Sequence, residues 1–555
     1  MKVSGDITMK ESLLQSLRRE YMPKLPSILM EDFSQISIKK TSSKVIDDVV
    51  KSSFPKTANQ PFIKLEKSNE GIKKDFKAKK IGVILSGGQA AGGHNVISGL
   101  FDAMKKAHAS SVLYGFKGGP SGLIENKYVE ITRELLEQYR NTGGFDIIGS
   151  GRTKIQTNEQ IASSIETARK LDLDGLLIVG GDDSNTNAAF LAESFLNAGL
   201  ETSVIGVPKT IDGDLKNEYI ETSFGFDTAT KTYSELIGNI ARDASSARKY
   251  WHFIKLMGRS ASHIALECAL QTAPNICLIS EEVAERKMTL EMIAKEIAET
   301  VLLRSQNGDD FGLVLVPEGL IEFIPEMQAL ISELNEVLGK NSFITDSTQE
   351  EKEMALEKSL SESSFVLFKS LPKDVAGQLL LDRDPHGNVQ VSRIETEKLL
   401  IYFVERELDN LRKCGKYKGK FSSYSHFFGY EGRSAFPSNF DCNYCYTLGY
   451  TAFTLIEENC TGYIVSVKDL TKPTSEWNVG AVPLVSMLNV ERRSGKDKLV
   501  IKKAHVDLLG KPFMMWQEMQ KQCKYQTSYR YPGAIQYFGV SELVDATTIT
   551  LANSK

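Results

Sequence analysis

The sequence predicts an α/β protein of two lobes, each a parallel-rich sheet covered by helices, with an N-terminal extension and a mostly helical insertion. Three observations predict this. Short, continuous apolar runs recur, as in "KKIGVIL", "DGLLIVGG" and "FGLVLVPEG". Segments of helical length and period separate them, among them Asn185 to Gly199 and Thr228 to Ala247. Strands buried on both faces read as unbroken apolar runs, and regular alternation with helices calls for parallel pairing. Finally, 555 residues at 41% hydrophobic content exceed what one core needs.

Residues 1–78 are polar and mixed. They read as an extension with helical pieces that wraps the body or a partner subunit, and the basic run "GIKKDFKAKK" reads as a solvated approach to the first strand. Residues 79–206 form the first lobe, with strands "KKIGVILSGG", "DGLLIVGGDDS" and "TSVIGVP". Residues 207–325 form the second, with "WHFIKLMGRS", "NICLIS" and "FGLVLVPEG". Residues 326–420 carry charged stretches of helical period, such as "ETEKLLIYFVERELDNLRKCG", and read as the insertion. Residues 421–555 return to the lobes.

Composition removes several classes of function. A net charge of -4 with 25% charged residues lacks the basic surplus of a nucleic-acid binder. No apolar run approaches the roughly 20 residues of a membrane span, and the first residues lack a signal-peptide core. The cysteine count is odd and the cysteines are widely spread, which fits reduced thiols and a cytoplasmic location. Cys442 and Cys445 make a C-x-x-C with no second pair, so they read as buried thiols rather than a zinc site.

In a parallel sheet, ligands gather at the carboxyl ends of the strands, and the unusual loops of this sequence sit there. "SGGQAAGGHN" is a glycine-rich turn before a helix, either a plain β–α connection or a phosphate cradle of free N–H groups. "GGDDS" puts Asp182 and Asp183 at a second such turn. An aspartate there is a natural Mg²⁺ ligand, since magnesium on a polyphosphate takes one or two carboxylates. It can equally be an acid favourable to the helix dipole. "PKTIDGD" holds Asp212 and Asp214 in one turn with Lys209, Thr210 and Ile211. A carboxylate so placed can accept a hydroxyl proton, or an Asp-Gly turn can satisfy itself. Arg259 of "LMGRSASH", Glu318 of "VPEG" and Arg152 of "GSGRTK" complete the set, arginine being suited to phosphate.

Together "GGDDS", "PKTIDGD", "MGRSASH", "PEG" and "GYEGRSAFPSNFD" resemble the phosphofructokinases, and most closely the long, pyrophosphate-dependent 6-phosphofructokinases of bacteria, protists and plants. The resemblance runs from about Ile81 to Val490. It implies two Rossmann-like lobes, the first for the phosphoryl donor and the second for fructose 6-phosphate, with the return segment completing the sugar-phosphate pocket. It further implies a Mg²⁺-dependent, reversible phosphoryl transfer from pyrophosphate to the 1-hydroxyl of the sugar, a step of glycolysis and gluconeogenesis.

By that resemblance Asp212 is the base, Thr210 and Ile211 contact substrate, and Asp214 orders the turn. Asp182 is the magnesium ligand, Gly87 a backbone contact to pyrophosphate, and Arg152 an arginine reaching the donor. Met257, Gly258 and Arg259 meet the sugar phosphate, Glu318 the sugar hydroxyls, and Tyr430, Glu431, Gly432 and Arg433 the 6-phosphate. ATP-using relatives bring two arginines across a subunit interface, where this chain has Tyr250 and Tyr424. Lys249 and Tyr250 are expected to take over part of that role from a second subunit, which implies a homodimer.

ATP-using relatives also have glycine in place of Asp183 and commonly glycine in place of Lys209. A carboxylate at 183 fills the room of a nucleotide's α-phosphate. Two unit charges ~4 Å apart repel by about 4 kcal/mol at an effective dielectric of about 20, roughly a thousandfold in affinity. Asp183 therefore reads as an obstruction that selects the shorter donor. Lys209 is expected to meet the transferring or leaving phosphate, or to pair with Asp183. The alternatives are an ATP-dependent enzyme, a non-catalytic regulatory subunit, and the lipid and NAD kinases with a similar "GGDG" turn, which lack the "PKTIDGD" and "YEGR" pockets.

Overall fold

The structure, a computed structural model, describes residues 13–44, 46–68, 76–340, 355–380, 389, 393–493, 496–535 and 539–554. Its strands are β1 (Ile36–Lys40), β2 (Ile63–Lys67), β3 (Lys80–Leu85), β4 (Val112–Phe116), β5 (Tyr128–Glu130), β6 (Gly175–Gly180), β7 (Ser203–Pro208) and β8 (Trp251–Leu256). These are followed by β9 (Ile276–Cys277), β10 (Gly312–Pro317), β11 (Ser423–Phe428), β12 (Tyr463–Lys468), β13 (Asn478–Pro483), β14 (Leu488–Arg493) and β15 (Lys496–Ile501).

The chain divides into two compact units. One comprises Met1–Ala229, Tyr430–Ala504 and Ile535–Leu551, the other Thr230–Gly429, His505–Ala534 and Ala552–Lys555. The sequence reading starts the second lobe at residue 207, whereas the division falls after Ala229. The reason is pairing: β7 lies between β6 and β12, parallel to both, so the turn that follows it stays with the first sheet.

In the first unit the described residues form a sheet in the order β1-β2-β13-β12-β7-β6-β3-β4-β5. Its centre, β12-β7-β6-β3-β4, is parallel, and its flanks are antiparallel. Every residue of β6 and β7 is buried, as their apolar runs demand. The N-terminal extension supplies β1 and β2, and Glu193 anchors the segment before β2. Its buried carboxylate accepts the backbone N–H of Lys56 (2.8 Å) and of Thr57 (3.1 Å) and the Thr57 hydroxyl (2.9 Å). Residues 71–75 of the basic run lie outside the described residues.

Two helices, Gly93–Ala107 and Asn439–Glu457, cross at glycines. A Cβ on Gly449 would stand 2.0 Å from the carbonyl oxygen of Val96, and one on Gly99 2.1 Å from that of Tyr446. Gly449→Ala must push the helices apart. We expect a loss of about 1–3 kcal/mol, the usual range for overpacking, read as a lower thermal midpoint with donor preference unchanged. A midpoint equal to wild type would show that the crossing yields freely.

The second unit has an all-parallel sheet in the order β11-β8-β10-β9. Its core joins Trp251, Phe253, Val314 and Val316 of the sheet to Leu379, Leu400, Phe403 and Val404 of the insertion. The insertion is mostly helical where described, with helices Pro325–Lys340, Glu362–Ser370, Lys373–Leu380 and Thr396–Lys413. Residues 341–354 of the expected helical stretch lie outside the described residues. A buried Lys255–Glu397 ion pair (3.3 Å) ties the last of these helices to β8. All seven cysteines are free, and Cys442 and Cys445 are buried. Among the described residues no helix is long and apolar enough to cross a membrane.

Candidate active site

β3, β6 and β7 are parallel neighbours, so the loops after them emerge side by side. The ladder continues into the loops: Ser86 N–H donates to Val179 O (2.8 Å) and Lys209 N–H to Gly180 O (3.0 Å). Ser184 Oγ donates to Ser86 Oγ at 2.8 Å, joining the second loop to the first. The buried Asn185 amide donates to Gly180 O (2.6 Å) and Gly181 O (3.0 Å) and so holds the GGDDS turn. Nothing in the sequence pattern singled out Ser86, Ser184 or Asn185.

The Gly87–Gly88 turn is the focus of three cations. Gly87 has φ +84°, open to glycine, and its N–H donates to Gly151 O (2.9 Å), which brings in the loop of Arg152. The buried Lys209 ammonium donates to Gly88 O at 2.7 Å. Arg433 Nη1 donates to Gln89 O at 3.1 Å. A Cβ on Gly88 would lie 2.9 Å from the Arg433 guanidinium and 3.7 Å from that of Arg152. Burial, with Arg433 and Arg152 nearby, pulls the Lys209 pKa down to about 8 against the pull of Asp212 and Asp182. A glycine turn ringed by cations suits an anion.

Asp212 borders this focus. Its N–H donates to Thr210 Oγ1 (3.1 Å), and its Oδ1 lies 4.0 Å from Arg433 Nη2. Ile211 is fully buried beneath the turn, and Gly213 supplies the left-handed residue at φ +72°. Asp214 is buried. Burial and Asp212 push its pKa up to about 6, with Lys503 opposing. The sequence reading assigns Arg433 to the sugar 6-phosphate. In the structure its guanidinium lies on the glycine turn beside Asp212, while Tyr430 and Glu431 are exposed and Gly432 is buried.

Asp182 and Asp183 open the helix Asp182–Asn197, where both also favour the helix dipole. Asp183 pairs with Lys154 at 3.1 Å, and its side chain is 56% exposed. The partner open to it in the sequence reading was Lys209, whose ammonium goes instead to Gly88 O. With a cation beside it and water around it, Asp183 repels another anion less than the bare Coulomb figure implies. Asp182 Oδ2 and Asp214 Oδ2 lie 3.9 Å and 3.6 Å from the ammonium of Lys503. Hard oxygen donors therefore already converge on a cation at this point. Among the described residues no group of three His, Cys, Asp or Glu side chains is set to hold a metal. One or two carboxylates are what magnesium needs when phosphate oxygens and water fill its shell. The residues present fit that ion.

In the second unit, β8 and β10 are parallel neighbours and end in the MGR and PEG turns. Gly258 N–H donates to the buried Glu318 carboxylate at 3.0 Å, and Glu318 N–H donates to Leu256 O at 2.9 Å. The turns touch: a Cβ on Gly319 would fall 1.9 Å from Arg259 O. Met257 N–H donates to Phe428 O (3.0 Å), and Tyr233 donates its hydroxyl hydrogen to Gly429 O (2.5 Å). Arg259 is exposed. Lys249 and Tyr250 precede β8, at the opposite end from Met257–Arg259. Six residues of strand span roughly 20 Å, so within one unit they stand far from the MGR and PEG turns. There Tyr250 packs edge-on against Tyr424 (4.8 Å between ring centroids), and the Lys249 ammonium lies 5.1 Å from the Tyr250 ring centre.

The phosphofructokinase family model matches residues 80–359. The pyrophosphate--fructose 6-phosphate 1-phosphotransferase of Treponema pallidum (strain Nichols) is 55% identical over 98% of this chain and 97% of its own length. That of Porphyromonas gingivalis is 53% identical over 99% and 100%. A crystal structure of a pyrophosphate-dependent phosphofructokinase from Nitrosospira multiformis superposes with TM-score 0.54 at 15% identity, covering 85% of this chain and 98% of that one. This last likeness is one of fold.

Proposed function

This chain belongs to the phosphofructokinase family, and we propose that it moves a phosphoryl group from pyrophosphate to the 1-hydroxyl of fructose 6-phosphate, giving fructose 1,6-bisphosphate and orthophosphate. The observation that carries the proposal is the convergence of Lys209, Arg433 and Arg152 on the Gly87–Gly88 turn, with Asp212 at its border. Three cations and a glycine turn suit a compact, highly charged donor, and the carboxylate suits a hydroxyl acceptor.

The chemistry is mainly positioning and charge stabilisation. Asp212 accepts the hydroxyl proton as the sugar oxygen bonds to phosphorus. The bridging P–O bond breaks, and orthophosphate leaves beside Lys209 and Arg152. Lys209, Arg152 and Arg433 hold the donor oxygens and meet the charge that develops. Asp182 would hold Mg²⁺, which supplies further charge neutralisation on the transferring group when bound. In the second unit, Met257, Gly258, Arg259 and Glu318 are the groups for the sugar phosphate and its hydroxyls. Lys249 and Tyr250, at the other end of β8, serve the pocket of a second copy in a homodimer.

The test is turnover by the purified chain alone. With magnesium it should make fructose 1,6-bisphosphate from pyrophosphate and fructose 6-phosphate, and return pyrophosphate from fructose 1,6-bisphosphate and orthophosphate, with no nucleotide. Failure in both directions, in folded protein, would leave a non-catalytic subunit as the better reading. The same assay carries a pH prediction. Lys209 acts as an ammonium, so kcat/KM should fall as pH rises through about 8, where its lowered pKa releases the proton. Lys209→Arg keeps its charge and should move this basic limb upward. A limb unmoved in Lys209→Arg would assign it to another group.

A further inference from the structure

Lys503 belongs to none of the motifs, yet it is placed by two backbone bonds. On one side of it, Ile501 N–H donates to Thr186 Oγ1 at 3.2 Å, fixing the segment to the helix that begins with Asp182. On the other, Ala504 N–H donates to Asp214 O at 2.7 Å, fixing it to the base's turn. Between these anchors the Lys503 ammonium lies 3.9 Å from Asp182 Oδ2 and 3.6 Å from Asp214 Oδ2. Its side chain is 30% exposed, so its charge acts through a partly desolvated space.

We propose that Lys503 is a positioning residue that occupies the cation's side of Asp182, so that free Mg²⁺ binds poorly and the metal enters with the diphosphate. This rests on the reading of Asp182 as the magnesium ligand. A bare divalent cation approaching Asp182 meets a positive charge already standing 3.9 Å from the carboxylate. A magnesium–diphosphate complex carries net negative charge, so the same ammonium attracts it. Lys503 thus discriminates between the free ion and the ion carried on its donor, and it holds Asp182 and Asp214 together until the complex arrives.

Mn²⁺ serves as the probe, its binding followed by electron paramagnetic resonance in the full chain without diphosphate. Wild type should bind weakly. Lys503→Met should bind at least ~10-fold more tightly, the size expected from removing a cation about 4 Å from a ligand, while its KM for diphosphate at fixed magnesium should rise. Lys503→Arg should stay as weak as wild type, and the gain in Lys503→Met should vanish in Lys503→Met/Asp182→Asn. Equal Mn²⁺ affinity in wild type and Lys503→Met overturns the proposal, and so does a gain that survives loss of Asp182. Wild-type turnover with diphosphate in the same preparation reports separately on the functional reading.

Discussion

Asp212→Asn is expected to lower kcat by roughly 10²–10⁴-fold, the range for loss of a positioned general base, with little change in KM for fructose 6-phosphate. The amide keeps the shape of the side chain and the N–H bond to Thr210 Oγ1 (3.1 Å), so the turn should stay folded. What it removes is the proton acceptor beside Arg433 and the Gly87–Gly88 turn. The reverse reaction should fall by a similar factor, because the group that takes the hydroxyl proton forward must return it backward. The measurement is steady-state kinetics in both directions, with circular dichroism as the check on folding. An Asp212→Asn enzyme within about threefold of wild type would move the base elsewhere, and Asp214, buried and held near pH 6 by burial and Asp212, would be the next candidate.

Asp183→Gly should raise kcat/KM for MgATP by at least ~10-fold, equivalent to about 1.4 kcal/mol, and the double variant with Lys209→Gly should favour ATP further relative to pyrophosphate. The structure adds Lys154 to this account, at 3.1 Å from Asp183. Removing Asp183 opens room and also leaves the Lys154 ammonium to meet a nucleotide's inner phosphate. The gain should therefore shrink when Lys154→Ala is combined with Asp183→Gly. Because Asp183 is 56% exposed, relief of charge repulsion alone would contribute little. Asp183→Asn, which removes the charge and keeps the bulk, should gain much less ATP activity than Asp183→Gly. Equal gains would make charge, rather than space, the discriminating feature.

Much of this was legible in the sequence because local rules and burial agree there. The runs "IGVIL" and "LLIVG" could only be buried strands, and a parallel sheet puts the loops after them on one edge. That is why the sequence alone groups Gly87, Asp182, Lys209 and Asp212. The lobe boundary was not legible, because the segment after β7 carries no local signal of its sheet, and it stays with the first unit through the place of β7 between β6 and β12. Arg433 is read through its motif, and its contact with the Gly88 turn and Gln89 O is set by tertiary packing that the motif does not encode. Lys154 and Lys503 escaped for a plainer reason. A lysine in a polar loop carries no periodic or spacing signal, and its partner is set by tertiary contacts. The extension beyond the motifs is similar: nothing in "PKTANQ" shows that its backbone will be held by Glu193.

The central claim is that a site ringed by Lys209, Arg152 and Arg433, and narrowed by Asp183, takes a short inorganic donor. The most direct measurement is the ratio of kcat/KM for pyrophosphate to that for ATP, determined on the wild-type chain at one free magnesium concentration and saturating fructose 6-phosphate. The account predicts a ratio of at least ~10, the scale of about 1.4 kcal/mol. A ratio near one, or turnover with ATP alone, would contradict it.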